Sequence, residues 1–159
     1  STRKESSAAS DVYKRQLFAF EMVALLSNQH PLLARSHLSA EDFADQTLIT
    51  YPVPDDMLDL IRQVLRPAGV SVPRRTTELT VAILQLVASG RGVAALPLWA
   101  VKHYLDRGYV SQRSITAQGL TSRLYAVWPA QATGRNHLED FVRIVRETTF
   151  VSLPDIELL

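Results

Sequence analysis

The sequence predicts an α/β domain whose sheet is mostly parallel and is covered by helices on both faces. Three observations support this prediction. Strand-like and helix-like segments alternate along the chain, which is the pattern of an α/β fold. The stretch 78–101 alone contains a helix, a glycine turn, a short apolar strand and the start of a second helix. The chain has 159 residues, of which 47% are hydrophobic, so it can bury a substantial core.

The first residues differ from the rest of the chain. Residues 1–16 are polar and show no period, and 11–16 look like the translation of a transposon-end adapter used in DNA library preparation. We therefore expect 1–16 to be a disordered, non-native leader, and we assign it no function. A signal peptide fits less well, because Glu21 interrupts the apolar run that would have to follow.

The next elements are read from hydrophobic period and capping signals. Residues 18–26 predict a buried strand. Ser39 followed by Asp42 has the capping-box spacing that starts a short helix. A β-branched strand is expected at 47–51, and the apolar stripe in 55–67 predicts the clearest helix of the chain.

Glycine and proline mark the elements of the second half. They are an extended segment at 74–78, a helix capped by Thr80 and ending at Gly90, a buried strand at 93–96, a helix after Pro97, strands at 110–115 and 122–128, a C-terminal helix, and a frayed tail at 152–159. The Ser-Gly-Arg-Gly segment at 89–92 predicts a tight turn. A phosphate cradle would need Lys-Ser/Thr ahead of a helix, whereas an apolar strand follows here.

Two strand ends are candidates for a ligand site. In a mainly parallel sheet, small ligands bind beyond the carboxyl ends of the strands, where the strand order reverses. The candidates are the exits at 50–56 and 95–99, both expected to lead into helix N-termini that favour an anion. Asp55 and Asp56 fit either a helix N-terminus complemented by carboxylates or a receiver for a ligand ammonium group. Trp99 fits either the core or a pocket wall.

Composition and motifs exclude several classes of chemistry. The chain has no cysteine, which excludes disulfides, thiolate catalysis and Cys-ligated metals. Its four histidines lack zinc-binding spacing, and no serine stands in a nucleophile elbow. A net charge of +1 gives no overall electrostatic footprint for nucleic acid, and no apolar run reaches the ~20 residues of a membrane span. We predict no catalytic residue and no metal site.

Several segments resemble a known family. They are 29–32 (QHPL), 42–43 (DF), 67–70 (PAGV) and 86–97 (LVASGRGVAALP), and together they resemble the effector-binding domain of LysR-type transcriptional regulators. Four segments, 48–53, 67–71, 94–101 and 119–126, resemble the MetR branch of that family, which regulates methionine biosynthesis. The resemblance runs from residue 17 to about residue 151.

The resemblance implies a truncated two-lobe effector domain with the fold of type 2 periplasmic binding proteins. Residues 17–28 would be the crossover strand from lobe I, 29–121 would be lobe II, and 122–151 would be the return strand and C-terminal helix of lobe I. The hinge would consist of Leu25, Leu26, Arg123 and Leu124. The DNA-binding helix-turn-helix and the first half of lobe I would be missing from this chain.

The resemblance also implies a ligand and partners. The ligand would be a small-molecule effector, homocysteine in the MetR branch, with no other cofactor. The effector site would be lined by Thr50, Tyr51, Pro52, Val53, Leu96 and Pro97. Relatives often carry polar or basic residues where Asp55 and Asp56 stand. The full-length protein would be a cytoplasmic homo-oligomer, a dimer or a tetramer, that binds promoter DNA and neither enters a membrane nor acts as an enzyme.

Two other functions share this kind of fold. A periplasmic solute-binding protein would carry a secretion signal instead of an upstream helix-turn-helix. An enzyme resembling prephenate dehydratase would need a threonine-rich catalytic segment, and 76–78 is a weak match. Because a fold alone does not decide function, the motifs favour the regulator over both.

Overall fold

The computed structural model describes residues 12–131, 135–153 and 155–158. Its strands and helices, in chain order, are β1 (Val12–Leu26), β2 (His37–Leu38), β3 (Leu48–Thr50), β4 (Arg74–Thr76), α1 (Thr80–Ala88), β5 (Ala94–Pro97), α2 (Leu98–Asp106), β6 (Ser111–Ile115), β7 (Leu120–Pro129), α3 (Arg135–Ser152) and β8 (Ile156–Glu157). The chain divides into two compact units: Ser1–Ala19 with Arg123–Leu159, and Phe20–Ser122. Predictions about residues 1–11 lie outside the described residues.

β1 is longer than the sequence predicted. It begins at Val12 instead of residue 18, so 12–16, expected to be disordered, form part of a strand. The later part of β1 is buried because its side chains are mainly apolar, and Val23 and Leu26 are fully enclosed. The non-native origin of 1–16 stays a prediction, because the conformation of a segment does not report its source.

The sheet around β1 is mixed, so the prediction of a mostly parallel sheet was wrong. β1 lies between β5 and β6 and runs antiparallel to both. β5 and β6 therefore run in the same direction, as expected for strands joined through a helix, but β1 separates them. β2 pairs with β6 in parallel at the far side. An apolar run shows that a strand is buried but not its direction, which is why the sequence analysis missed this arrangement.

A smaller parallel pair carries the first ligand exit. β3 pairs with β4, and Leu48 of β3 also forms a parallel bridge with Val93, just ahead of β5. The Ile49 amide donates to the Val93 carbonyl at 2.8 Å, and the Val93 amide donates to the Thr47 carbonyl at 2.9 Å. These bonds hold β3 and the start of β5 side by side.

Two buried clusters pack inside the unit Phe20–Ser122. The first includes Phe43, Leu48, Leu60, Leu65 and Ile115, and the second includes Ile49, Ile83, Leu84, Val87 and Val101. Consecutive residues of a strand point to opposite faces, and the neighbours Leu48 and Ile49 accordingly enter different clusters. Side chains therefore cover β3 on both faces.

The helix predicted at 55–67 is broken in the structure. A 3-10 turn covers Asp55–Met57, and Leu58 then has an extended backbone. Helical structure resumes at Asp59 and continues as a π-helix at Ile61–Leu65, whose end residues are buried as predicted, whereas Met57 is 70% exposed. Asp55 forms an ion pair with Arg74 of β4, and this tertiary contact competes with a continuous helix. The spacing of apolar residues in the sequence gives no indication of such a contact.

The other unit contains the first part of β1, β7 from Arg123 onward, α3 and β8. The predicted strand at 122–128 and the predicted C-terminal helix are both present. Arg15 binds both carboxylate oxygens of Glu139 at 2.9 and 3.0 Å, and Tyr13 stacks on Trp128 with ring centroids 6.3 Å apart. β8 lies in the tail that was expected to be frayed.

Candidate functional site

The loop after β3 is fastened by one arginine. Arg74 Nε and Nη2 lie 3.2 and 2.7 Å from Thr50 Oγ1. Nη2 is also 3.3 Å from the carbonyl oxygen of Tyr51 and 3.1 Å from that of Val53. Nη1 binds the carboxylate of Asp55. The planar guanidinium presents its donors in a fixed fork, so a single side chain can order the whole loop.

The two polar side chains of this loop are satisfied inside the protein. Thr50 is 7% exposed, and its hydroxyl donates to the Tyr51 carbonyl at 3.0 Å while accepting from Arg74. The Tyr51 hydroxyl lies 2.5 Å from Thr80 Oγ1. The predicted capping role of Thr80 was wrong, because Leu79 is the cap residue of α1 and makes no side-chain capping bond. Buried polar groups need such partners, and this need directs Thr80 toward Tyr51.

Asp55 and Asp56 are each paired with an arginine. Asp55 binds Arg74, and Asp56 Oδ1 lies 2.5 Å from Arg66 Nη1. By accepting this hydrogen bond, Asp56 raises the pKa of the Arg66 guanidinium above its ordinary value. The ammonium-receiver interpretation loses its support, because both carboxylates already face a cation of this chain. The helix N-terminus expected after them is a single 3-10 turn.

The exit after β5 is apolar. Leu96 is 5% exposed, and Pro97 leads directly into α2 without a side-chain capping bond. Trp99 packs edge-on against Phe20, with ring centroids 6.2 Å apart. Trp99 is half-buried, and this contact does not decide between the core and the pocket-wall interpretations.

A small cavity brings parts of the two exits together. Its volume is about 30 Å³, and it is lined by Thr50, Tyr51 and Leu96 together with Met22, Leu48, Leu58, Asp59, Leu60 and Ala95. The other predicted site residues, Pro52, Val53 and Pro97, do not line it. The space suits one water-sized group and is far smaller than the roughly 300–1,000 Å³ of a typical ligand pocket. It can therefore receive one end of a small molecule.

Asp59 is a lining residue that the sequence analysis missed. Its carboxylate accepts hydrogen bonds from Ser122 Oγ at 2.5 Å, from Gln63 Nε2 at 3.0 Å and from Arg62. Burial acts to raise the pKa of Asp59, but these hydrogen bonds outweigh it and hold the pKa below its ordinary value of 3.8. Arg62 and Gln63 follow Asp59 by three and four residues, which is the spacing of side-chain pairs on a helix, so these two contacts could have been predicted from the sequence. The contact with Ser122 could not, because the two residues are far apart in the sequence.

The predicted hinge residues are divided between the two units. Leu25 is fully buried and pairs with Ala94 of β5 and with Gln112 of β6. Leu26 is buried beside it, while Arg123 begins the other unit and Leu124 follows. A single conformation does not report motion, so the hinge role stays a prediction.

Other predicted features of the site region can also be located. The segment 89–92 is a turn, in which the amides of Gly90 and Arg91 donate to the carbonyls of Val87 and Leu86 rather than toward a phosphate. Among residues 12–131, 135–153 and 155–158, no group of three acidic or histidine side chains could hold a metal ion. In the same ranges, no helix has the length and apolar character to cross a membrane.

Comparison with known families decides the broader class. The model of the LysR substrate binding domain matches residues 2–149. The chain belongs to the LysR substrate-binding domain family. The match begins ahead of residue 17, where the resemblance was expected to start. Membership places the chain among the domains of transcriptional regulators rather than among enzymes, and it favours the regulator over a solute-binding protein.

Individual relatives support the MetR branch of the LysR family. The chain is 48% identical over 149 residues to the HTH-type transcriptional regulator MetR of Haemophilus influenzae, which covers 94% of this chain and 48% of that protein. It is 34% identical over 148 residues to MetR of Escherichia coli K12, covering 93% and 46%. The regulatory domain of MetR from N. meningitidis has 49% identity and a TM-score of 0.88, covering 98% of this chain and 72% of that chain. The chain spans about half the length of the curated relatives it matches.

Proposed function

We propose that this chain is the effector-sensing part of a LysR-type DNA-binding transcription regulator that controls methionine biosynthesis in response to homocysteine. The observation that carries the proposal is the 49% identity and TM-score of 0.88 to the regulatory domain of a MetR protein. The curated relatives are named HTH-type regulators and are about twice as long as this chain. We therefore assign DNA binding to a helix-turn-helix encoded ahead of it.

Homocysteine is proposed to bind at the loop 50–53 and the turn 96–97. Thr50, Tyr51 and Leu96 line one cavity, which supports this location. Opposite charges also flank the loop. The Arg74 side chain is 22% exposed, and the Asp59 carboxylate is 17% exposed. Both groups already have partners within the chain, so a zwitterionic amino acid would bind here by exchanging some of these hydrogen bonds for bonds to its own two charges.

The regulatory step is proposed as a shift between conformations. Homocysteine can favour one state of the regulator only through a difference in its affinity for the two states. Moving the equilibrium from 1:99 to 99:1 requires an affinity difference of about 10⁴-fold. The favoured state would change how the subunits of a dimer or tetramer hold promoter DNA. We propose a cytoplasmic location, because the promoter DNA that the regulator would bind lies there. We propose no membrane partner.

The test uses the intact regulator that contains this chain. Homocysteine is titrated calorimetrically into the wild type, Thr50→Ala and Tyr51→Ala, and binding to methionine-biosynthesis promoter DNA is measured with and without it. Each site substitution is expected to weaken homocysteine binding about tenfold, because each removes internal hydrogen bonds that hold the ligand-binding loop in place. Thr149→Ala in α3 and Tyr109→Ala beside Gln85 are the matched controls.

Two results would contradict different parts of the proposal. A wild-type regulator that binds no homocysteine would reject the effector. Full homocysteine binding by both Thr50→Ala and Tyr51→Ala would reject the site and leave the effector in place.

A further inference from the structure

We propose that the cavity beside Thr50 is an apolar subsite that receives the sulfur end of the effector and sets the length of the amino acid that the regulator accepts. This inference rests on the proposed function. It goes further by naming the residues that discriminate between amino acids of different side-chain length. We call the cavity the sulfur subsite.

The walls of the sulfur subsite are mainly apolar. Its apolar lining residues are Met22, Leu48, Leu58, Leu60, Ala95 and Leu96. Leu48, Leu60 and Leu96 are buried, whereas Met22 and Leu58 are half-buried. The wall of the cavity therefore combines fully buried and half-buried apolar side chains.

The Thr50 hydroxyl and the Asp59 carboxylate of the lining are already engaged in hydrogen bonds within the chain. The Thr50 hydroxyl donates to Tyr51 and accepts from Arg74. The Asp59 carboxylate accepts from three side chains, among them Ser122. A hydroxyl placed inside would lose its water and would have to displace one of these existing bonds to regain a partner, which is unfavourable. The lining thus selects an occupant with weak hydrogen-bonding needs.

A thiol fits both the size and the chemistry of the sulfur subsite. The volume of about 30 Å³ corresponds to one water-sized group. A thiol is a weak hydrogen-bond donor and a polarizable group, so it leaves water at little cost, and the Met22 thioether offers a similarly soft contact. A homocysteine side chain would place its sulfur inside. Cysteine is one methylene too short, and methionine carries an additional methyl group that exceeds the space.

The inference is tested by changing the volume of the sulfur subsite and measuring ligand length preference. Affinities for homocysteine, cysteine and methionine are measured by calorimetry under reducing conditions in the intact regulator. Leu58→Ala enlarges the cavity by shortening a half-buried lining residue, and Ala95→Val fills it. Leu33→Ala is the matched control, because Leu33 is also half-buried against the first core cluster but does not line the cavity.

Leu58→Ala is expected to shift the ratio of methionine to homocysteine affinity about tenfold toward methionine, as one methyl group does in an apolar pocket. Ala95→Val is expected to weaken homocysteine about tenfold and to leave cysteine unchanged. For each variant, the affinities that form a ratio are measured on the same protein sample, so any loss of folded protein affects them equally and cancels in the ratio. An unchanged ratio in Leu58→Ala, or an equal change in Leu33→Ala, would overturn the subsite. A wild type that binds none of the three amino acids would overturn both the proposed effector and the subsite.

Discussion

The two strand exits of the unit Phe20–Ser122 are built from opposite kinds of interaction. After β3, the Arg74 side chain binds a hydroxyl, two carbonyls and a carboxylate of the loop. After β5, a buried Leu96 and Pro97 lead straight into α2. Both exits follow a strand, so sequence position made them look equivalent. The comparison shows that the character of a strand exit depends on which side chain reaches it from elsewhere in the fold.

This contrast has a consequence for ligand binding. Charge-assisted hydrogen bonds can be exchanged for bonds to a charged ligand, because the guanidinium keeps its donors whichever acceptor it meets. A packed apolar turn offers no such exchange and keeps its shape. The cavity of about 30 Å³ therefore has a wall held by exchangeable hydrogen bonds at Thr50 and Tyr51 and a packed apolar wall at Leu96.

The largest effect is expected where β3 and β5 approach each other. A Cβ at Gly92 would lie 2.4 Å from the Thr47 carbonyl oxygen and 3.0 Å from the Ile49 side chain. Gly92→Ala should push these strands apart and lower the free energy of unfolding by about 3 kcal/mol, measured by urea denaturation. Gly90→Ala is the control, because Gly90 has a φ of +69° but nothing within 4 Å, and it should lose about 1 kcal/mol. Equal losses would mean that β5 can move away from β3 without penalty.

A smaller effect is expected from removing the arginine that distinguishes the two exits. Arg74→Met should lower the free energy of unfolding by about 2 kcal/mol, because charge-assisted bonds to Thr50 and Asp55 are lost. Arg74→Lys should recover only part of this, since an ammonium lacks the planar fork. Arg75→Met, at the exposed next position of β4, should change the stability by less than about 0.5 kcal/mol. Equal losses at Arg74 and Arg75 would show that the β3 exit does not depend on its arginine.

Much of the secondary structure followed from local patterns. The strand expected at 47–51 is observed at Leu48–Thr50, and the helix expected after Pro97 is α2. The direction of β1 relative to β5 and β6 could not be predicted from local patterns, because an apolar strand packs equally well in either direction. The break in 55–67 did not follow either, because it accompanies the pairing of Asp55 with Arg74 from a different strand.

The candidate site divides in the same way. The family resemblance supplied Thr50, Tyr51 and Leu96, and these three residues line one cavity. It did not supply Arg74 or Asp59. Arg74 lies 24 residues from Thr50, and Ser122 lies 63 residues from Asp59. Period and capping report which face of an element is buried and where it starts, but they do not report which distant side chain completes a site.

The smallest effect is expected at the polar contact between Asp59 and Ser122. The folded-state pKa of Asp59 lies below its ordinary value of 3.8, so the unfolded chain takes up a proton more readily. The ionised carboxylate therefore stabilises the folded protein above about pH 4, and this contribution is lost as the pH falls through the lower, folded-state pKa. Ser122→Ala removes one donor, so it should raise the pKa of Asp59 and lower the free energy of unfolding by about 1 kcal/mol at neutral pH.

The pH dependence of that loss distinguishes a bond to the ionised carboxylate from a general packing defect. Unfolding of the wild type and of Ser122→Ala is compared at neutral pH and at a series of pH values below 3.8, and the difference should shrink as the pH falls through the folded-state pKa of Asp59. Ser89→Ala is the control, since the Ser89 hydroxyl donates to the Gln85 carbonyl at 2.7 Å and its effect should not depend on pH in this range. A Ser122→Ala difference that stays constant with pH would mean that Ser122 supports this wall of the cavity by packing alone. In that case the hydrogen bonds of Arg74 would stabilise the β3 exit, whereas those of Asp59 would not.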